Sequence, residues 1–433
     1  DLMGMDSLIK LLGVVVMFAL PTLQNKHVHQ PGEHVPQLKS NIVIVPIEIT
    51  PGVDEFGIKL LTEALNSQKG NNTVTSSLSL QIALSILYAG AGGRTKSELE
   101  TAIGIQVPAS RYLTTFRNYL ADLGEHLKIA SSVFFRKGIK FIDTYKDVVR
   151  RKLGVELQQL ESNNMKKSAK IVNNWCSEQT GGLIREIVNE NDFRNDFMAM
   201  IVNAVHFEAS WVNAFLEGNT NLKSFSTLDP AGNIKKVKVH TMHRVGYEYY
   251  LNHHKELDAQ ILSIEYVTSK KRMSIYDPKK EPICKIIILP KKVDGIQKTL
   301  KKLRDVDLPT LMRSLRIEMV DVALPKFKQE VNLDLMKILR KMGLESLFDD
   351  ADFSHMVDAG PMSVTKALQK AVISVAENGT EAAAATVVDV SLTSSHGHKY
   401  EFIADHPFIY IITKKYLVAP IFQGVVMNPQ YND

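Results

Sequence analysis

The chain has 433 residues, of which 45% are hydrophobic and 23% charged, with a formal net charge of +5. This composition excludes a disordered or fibrous polymer and leaves ample apolar material for a large core, while so mild a charge demands no nucleic acid. Two cysteines, Cys176 and Cys284, exclude a disulfide framework. One bridge between them stays open, but two buried or half-buried thiols is the reading their spacing favours.

In chain order, Lys10 precedes an apolar run, Leu11 to Leu20, that Pro21 ends. The run is too short for a membrane span and suits the core of a signal peptide. Residues 1–24 are expected to be removed, with an approximate boundary, and residues 25–52 to form a polar, mobile leader. The expected product is secreted and extracellular, a monomer without a membrane anchor.

From Val53 the pattern turns helical, with Phe56, Leu60, Leu61 and Leu65 at helical spacing. "SSLSLQIALSILYAGAGGRT" predicts a second helix, capped by Ser76 or Ser77 and ended by the glycines from Gly90 to Gly93. "IASSVFFRKG" and "AMIVNAVHFEASW" read as strands, and "KSAKIVNNWCSEQTGGLIREIV" as a helix stopping at Gly181–Gly182. Short strands follow between Ser224 and Pro290. Then come one helical stretch, "GIQKTLKKLRDVDLPTLMRSL", a strand, "RIEMVDVALPKFKQE", and a helix, "LDLMKILRKMGL". "AVISV", "EFIADHPFIYIITKK" and "APIFQGVVMNP" are strand-like. With no regular βαβ alternation, no repeat and no linker, residues 53–433 predict one α+β domain.

Motifs for catalysis are missing. There is no G-x-S-x-G elbow, no H-E-x-x-H, no C-x-x-C and no phosphate-binding loop, and "GAGG" follows a helix, not a strand. The histidine groups His27/His29, His253–His254 and His396/His398 lack acidic or thiolate partners, so no metal and no cofactor is expected.

The stretch "ENGTEAAAAT", Glu377 to Thr386, stands between two strand-like runs. Taken alone, an Ala/Glu tract reads as a surface helix. Written as a strand, its even positions Thr380, Ala382, Ala384, Thr386, Val388 and Val390 are all uncharged and small or β-branched, while Glu381 and Asp389 fall on odd positions. Gly379 at its start can absorb a large backbone rotation. The segment is compatible with a sheet without nucleating one.

This tract, followed by "FIADHPFIYII", resembles the reactive-loop hinge and C-terminal signature of the serpin family. "TVTSSLSLQIALSILYAGAGGRT", "NNWCSEQTGGLI", "IVNAVHF", "VALPKFKQE" and "APIFQGVVMNP" fall in serpin order, so the resemblance runs from about Val53 to Pro429. It implies a single-domain fold of three β-sheets and eight to nine helices, with an exposed reactive-centre loop over about residues 377–400. It also implies a secreted inhibitor that traps a serine protease covalently when its cleaved loop inserts as a strand of the main sheet. A non-inhibitory carrier or storage protein of the same fold is the alternative, and the small residues at the inward hinge positions favour the inhibitor.

Carried over by position, the hinge is Glu377, Gly379, Thr380, Glu381, Ala382, Ala383, Ala384 and Ala385. The scissile bond falls between Thr393 and Ser394, with Leu392 as the alternative residue before it. Leu there favours chymotrypsin-like targets and Thr elastase-like ones. Lys326 is expected to pair with Glu377, Trp211 matches the family's tryptophan, and Ser76, Ser79 and Asn203 match a polar cluster beneath the central strands. Without the resemblance these would read as a surface ion pair, a core tryptophan and ordinary caps. The chain departs from the family pattern at Gln369, often histidine, and at Ser77, often proline. Asn71 and Asn378 begin glycosylation sequons; Asn71 is the expected glycan site, and Asn378, on the hinge, is expected to stay largely bare. Basic clusters at Lys235–Lys238, Lys270–Arg272, Lys279–Lys280 and Lys298–Arg304 are candidates for a sulfated polysaccharide.

Overall fold

The computed structural model describes residues 53–122, 127–161, 164–193, 196–229, 231–267, 282–358, 362–380, 400–415 and 420–431; the expected signal peptide and leader lie outside them. In chain order the elements begin with α1 (Val53–Ser67), β1 (Thr73–Thr75), α2 (Ser77–Tyr88), α3 (Gly93–Ile103), α4 (Ala109–Asp122), β2 (Leu127–Arg136), α5 (Asp143–Val148) and β3 (Gln158–Leu160). Next are α6 (Met165–Gln179), β4 (Ala199–Phe207), β5 (Ala209–Ser210), β6 (Asn221–Leu228), β7 (Ile234–His254), β8 (Ala259–Glu265) and β9 (Ile283–Pro290). The remainder are α7 (Ile296–Leu303), α8 (Leu308–Ser314), β10 (Arg316–Pro325), β11 (Phe327–Asp334), α9 (Leu335–Lys341), β12 (Val364–Ala376), β13 (Gly379–Thr380), β14 (Tyr400–Ile403), β15 (Phe408–Lys414) and β16 (Phe422–Val426). Nine α-helices are present among the described residues, within the eight to nine that the resemblance implies.

Two hydrogen-bonded ladders organise the strands. One runs β3-β2-β4-β12-β13-β5, with β11 on the other side of β12. The second runs β1-β16-β15-β9-β8-β7-β10-β14, with β6 also on β7. The 21-residue β7 passes through two parts of the second ladder. Two of the three expected sheets are therefore continuous in their hydrogen bonding.

Several runs read as one element are two, each for a local reason. "RIEMVDVALPKFKQE" divides at Lys326, whose N–H donates to the His240 carbonyl while the chain crosses between the ladders. The long helical stretch divides before Leu308, where Asp307 caps a new helix by accepting from the Thr310 N–H and Pro309 occupies its first turn. Ser76, of the two candidate caps, is the one used, accepting from the Ser79 N–H.

β4 is buried along its whole length, which is what a parallel neighbour and cover on both faces require. Phe207, Val205 and Ile201 face the main core with Ile373, Ala371 and Ala367 of β12. Ala204, Val202 and Met200 pack with Val172 and Cys176 of α6. Both cysteines are free and buried, and burial pushes each thiol up to about 12. No helix among the described residues is long and apolar enough to cross a membrane.

The second ladder closes tightly at Gly424 of β16. A Cβ there would lie 2.4 Å from the Tyr410 hydroxyl and 2.6 Å from the Thr73 carbonyl oxygen. Tyr410 donates in turn to Gln329 at 2.6 Å, so it has little freedom to yield. Gly424→Ala is expected to lower the stability of the protein by about 1–3 kcal/mol, read as a shift of the urea midpoint.

Candidate functional site

At the top of the first ladder, β12 turns back on itself through Glu377 and Asn378 into β13. Val375 pairs with Thr380 and Ala376 with Gly379. On its far side β13 pairs with β5, Gly379 against Ser210 and Thr380 against Ala209. The first two residues of the alanine tract's strand thus already lie between β12 and β5. Below them β12 pairs directly with β4 in parallel, from Val372 opposite His206 downward.

Gly379 adopts φ of +147°, a region that side-chain-bearing residues avoid. A Cβ there would meet the Ala209 carbonyl oxygen at 2.2 Å, so backbone freedom and close approach both require glycine. Thr380 is fully buried and shares a 2.7 Å hydrogen bond with the Tyr266 hydroxyl. Tyr266 stacks on Trp211, with ring centroids 4.4 Å apart. The Trp211 indole N–H donates to the Ala376 carbonyl at 3.0 Å, and its backbone N–H to the Asn378 carbonyl at 3.0 Å.

The turn is held by charge. Lys326 Nζ lies 3.1 Å from a Glu377 carboxylate oxygen, and both side chains are largely buried. Thr220 donates to the other oxygen at 2.8 Å. Burial alone would raise the Glu377 pKa. The residue's own backbone N–H, Thr220 and Lys326 outweigh it and hold the carboxyl below its ordinary value.

About midway along the β4–β12 seam, Asn203 and Gln369 face each other. Gln369 Nε2 donates to Asn203 Oδ1 at 2.7 Å and to the Ser76 carbonyl at 3.0 Å. Gln369 Oε1 accepts from the Ser76 N–H at 3.1 Å and from the Thr75 hydroxyl. Asn203 Oδ1 also accepts from Ser79 Oγ at 2.7 Å, and Asn203 Nδ2 donates to Ser131 Oγ at 2.9 Å. Ser131 donates to the Ser79 carbonyl, and Ser76 to the Ile421 carbonyl, both at 2.5 Å. A histidine has two ring nitrogens and matches at most two of the four Gln369 contacts. Ser77 joins the same region by donating to the Pro420 carbonyl at 2.9 Å.

The structure therefore brings Glu377, Gly379, Thr380, Lys326 and Trp211 together at one end of the seam. It gathers Ser76, Ser79, Asn203 and Gln369 at its middle. Sequence reasoning missed Thr220 and Tyr266 at the hinge, and Thr75 and Ser131 at the rung. Ser131 lies in a recognised strand, and its pairing with Asn203 appears only when β2 and β4 are aligned. Glu381, Ala382, Ala383, Ala384, Ala385, Leu392, Thr393 and Ser394 lie outside the described residues. So do Lys270–Arg272, Lys279–Lys280, His27/His29 and His396/His398.

Of the sequons, Asn71 is exposed after α1, and Asn378 is half-buried in the hinge turn. Lys235, Lys236 and Lys238 are exposed on β7, and Lys298 and Lys301 on α7. His253 and His254 sit at the end of β7, and no metal-holding cluster is found among the described residues.

The model of the family "Serpin (serine protease inhibitor)" matches residues 51–429. Antichymotrypsin-2 of Bombyx mori is 29% identical over 367 residues, covering 83% of this chain and 93% of its own. Serpin48, described as a highly specific serpin in the insect Tenebrio molitor, superposes with a TM-score of 0.76 at 24% identity, covering 89% of this chain and all of its own. Thyroxine-binding globulin in complex with thyroxine superposes with a TM-score of 0.73 at 24% identity, covering 88% of this chain and 99% of its own. The last two similarities speak for the fold alone.

Two outcomes follow from the geometry. Gln369→Leu leaves buried donors at Ser76 and Thr75 without a partner and is expected to cost about 2–4 kcal/mol, read by urea denaturation. Because the folded Glu377 pKa is depressed, its stabilisation is present above the ordinary carboxylate range and disappears as pH falls through the folded value. The stability difference between wild type and Glu377→Gln should therefore be steady near neutrality and shrink as pH falls below the ordinary carboxylate value of about 4.5, measured as melting temperature against pH.

Proposed function

The chain belongs to the serpin family, and from that premise we propose that it inhibits serine proteases as a suicide substrate. In this reading the protease serine attacks the carbonyl carbon of Thr393. The Thr393–Ser394 peptide bond breaks, the Ser394 amine leaves, and the acyl-enzyme remains on the hinge-side segment. That segment then slides into the β4–β12 seam before water can hydrolyse the ester. The target class is chymotrypsin- or elastase-like, with Leu392 as the alternative residue before the cut.

The observation that carries the proposal is the rung formed by Thr380. It stands between Val375 and Ala209, whose offset is the one that relates Val372 to His206 and Gln369 to Asn203 below it. Continued in that register, Ala382 would meet Ile373 and Phe207, Ala384 would meet Ala371 and Val205, and Thr386 would arrive between Gln369 and Asn203. Ile373, Phe207, Ala371 and Val205 all belong to the main core, so the inserted even positions must be small and uncharged, as they are. Insertion breaks the Gln369–Asn203 contact and supplies a threonine hydroxyl at the same level. Each added backbone hydrogen bond contributes about 0.5–1.5 kcal/mol net, and the burial of alternate side chains adds to it. The uninserted state is on this account held kinetically.

A carrier function would not need a run of small inward positions aligned with a seam, so the inhibitor reading is preferred. Secretion and a glycan at Asn71 are part of the proposal, with Asn378 kept bare because it lies in the hinge turn. A sulfated polysaccharide is assigned to the exposed lysines of α7, where heparin would alter the inhibition rate in a salt-dependent way.

Mixing the protein with chymotrypsin, elastase and trypsin should give an SDS-stable complex with one of the first two, and mass spectrometry of the released peptide should begin at Ser394 or one to two residues away. Cleavage without a complex by all three would overturn the proposal. Ala384→Arg should convert the inhibitor to a substrate, because a cation would have to be buried between Ala371 and Val205; an unchanged stoichiometry of inhibition would count against insertion. Peptide mapping of secreted protein should find a glycan at Asn71 and little at Asn378.

A further inference from the structure

On the face of the first ladder that α6 covers, two lysines of β12 have partners on both sides of the seam. Odd-numbered Ile373, Ala371 and Ala367 face the main core, while even-numbered Val372 packs toward α6. Lys366 and Lys370 share the parity of Val372. Lys370 Nζ lies 2.7 Å from Glu330 of β11 and donates to the Glu186 carbonyl at 3.2 Å. Lys366 Nζ lies 3.2 Å from Asp192 and 3.8 Å from Asp334, and its side chain is only 26% exposed. Glu330 and Asp334 belong to β11, which pairs with β12 along its length. Glu186 and Asp192 belong to segment 181–193, which follows α6.

That segment is tied to the β4 side. Asn173 of α6 accepts from the Ile187 and Val188 N–H groups and donates to the Val188 carbonyl. Asp192 is fixed within the segment by accepting from the Asn189 N–H at 2.9 Å. α6 in turn packs with Ala130 and Phe134 of β2 and with Met200, Val202 and Ala204 of β4. Lys366 and Lys370 therefore bind the segment across the seam to β12, at levels where β4 and β12 pair directly, Lys366 with Met200 and Lys370 with Ala204. A strand entering there adds about 4.8 Å of width, so neither tie keeps its present geometry.

The register that brings Thr386 between Gln369 and Asn203 decides what replaces them. Three residues further on, Asp389 would arrive between Lys366 and Met200, on the face toward α6 that both occupy. Directly opposed residues have Cβ atoms about 4.5–5.5 Å apart. Ala385, which would stand opposite Lys370, offers no charge. From Ala382 to Val390 the sequence has one charged residue, Asp389, and it falls opposite a lysine. We propose that Lys366 is a positioning residue for loop insertion: it gives up Asp192 and takes Asp389, which releases segment 181–193 from β12 and locks the inserted strand in register. Asp334 stays on the β12 side with Lys366, so the amine keeps an acidic neighbour throughout the exchange. A slip of two residues either way would put Val387 or Ser391 opposite Lys366 and forfeit the pair.

The inference rests on the insertion reading and is tested on the whole protein without a protease. Two N-acetylated, fluorescently labelled peptides with the sequence of residues 381–390, one natural and one carrying Asp389→Asn, are offered to it, and their uptake and dissociation rates are followed. From the wild type the Asp389→Asn peptide should leave about two- to fivefold faster than the natural one, the range for a partly exposed ion pair. Lys366→Met should abolish that difference and Lys366→Arg should keep it. Asp192→Asn should speed the uptake of both peptides by a similar factor of about two to five, because one tie to β12 is already gone. Equal dissociation of the two peptides from the wild type, or an unchanged difference in Lys366→Met, overturns the role of Lys366 while leaving insertion intact. An unchanged uptake rate in Asp192→Asn overturns the release of segment 181–193. Failure of both peptides to enter the wild type overturns the insertion reading and this inference with it. The wild-type comparison decides the matter even if Lys366→Met does not fold.

Discussion

The contact on which the rest depends is the side-by-side pairing of β4 and β12. Two parallel strands with cover on both faces normally close a sheet for good, since neither has a free edge to offer. Here the seam is stitched at its centre by polar groups. Gln369 uses both ends of its amide, reaching Asn203 across the seam and Ser76 and Thr75 beneath it. A polar stitch is strong while every member is satisfied and weak once one partner moves. A row of valines and leucines at that level would have no comparable alternative partner to accept.

The upper end of the seam is organised differently. There the two sides are already one strand apart, wedged by Gly379 and Thr380. The turn above the wedge is anchored by Lys326 and Thr220 to Glu377, and Trp211 reaches over to the Ala376 carbonyl. These interactions fix where a further strand would start and in which register. The close approach at Gly379 leaves no slack for a shift along the ladder. Were a further strand to enter, the hinge would set its location and register, and the polar rung some distance below would be the contact it must break.

Much of this was legible in the sequence, and the pattern of what was not is informative. The alternation of small residues in the alanine tract and the glycine before it carry their meaning locally, through strand periodicity and backbone freedom. Lys326, Trp211, Ser76, Ser79, Asn203 and Gln369 were found because motifs marked their positions; their geometry, including the four contacts of Gln369, was not foreseeable. Tyr266 and Thr220 escaped because their partners lie 114 and 157 positions away, beyond any local period. The division of "RIEMVDVALPKFKQE" into two strands was likewise invisible, since alternation continues straight through Lys326.

The pairing of β1 with β16 has a further implication for the timing of biogenesis. Thr73–Thr75 has its described ladder partner only in Gln423–Val425, and the Asn72 side chain binds backbone groups of Met427 and Asn428. A nascent chain on the ribosome that has not yet reached residue 425 holds α1 and α2 with the strand between them still open-edged. The hinge tract, made before that point, has left the exit tunnel or is close to it while the sheet behind it is incomplete. Synthesis therefore has a window in which the small-residue segment and an unfinished sheet coexist, because the β1 edge is closed only by residues made after the hinge tract.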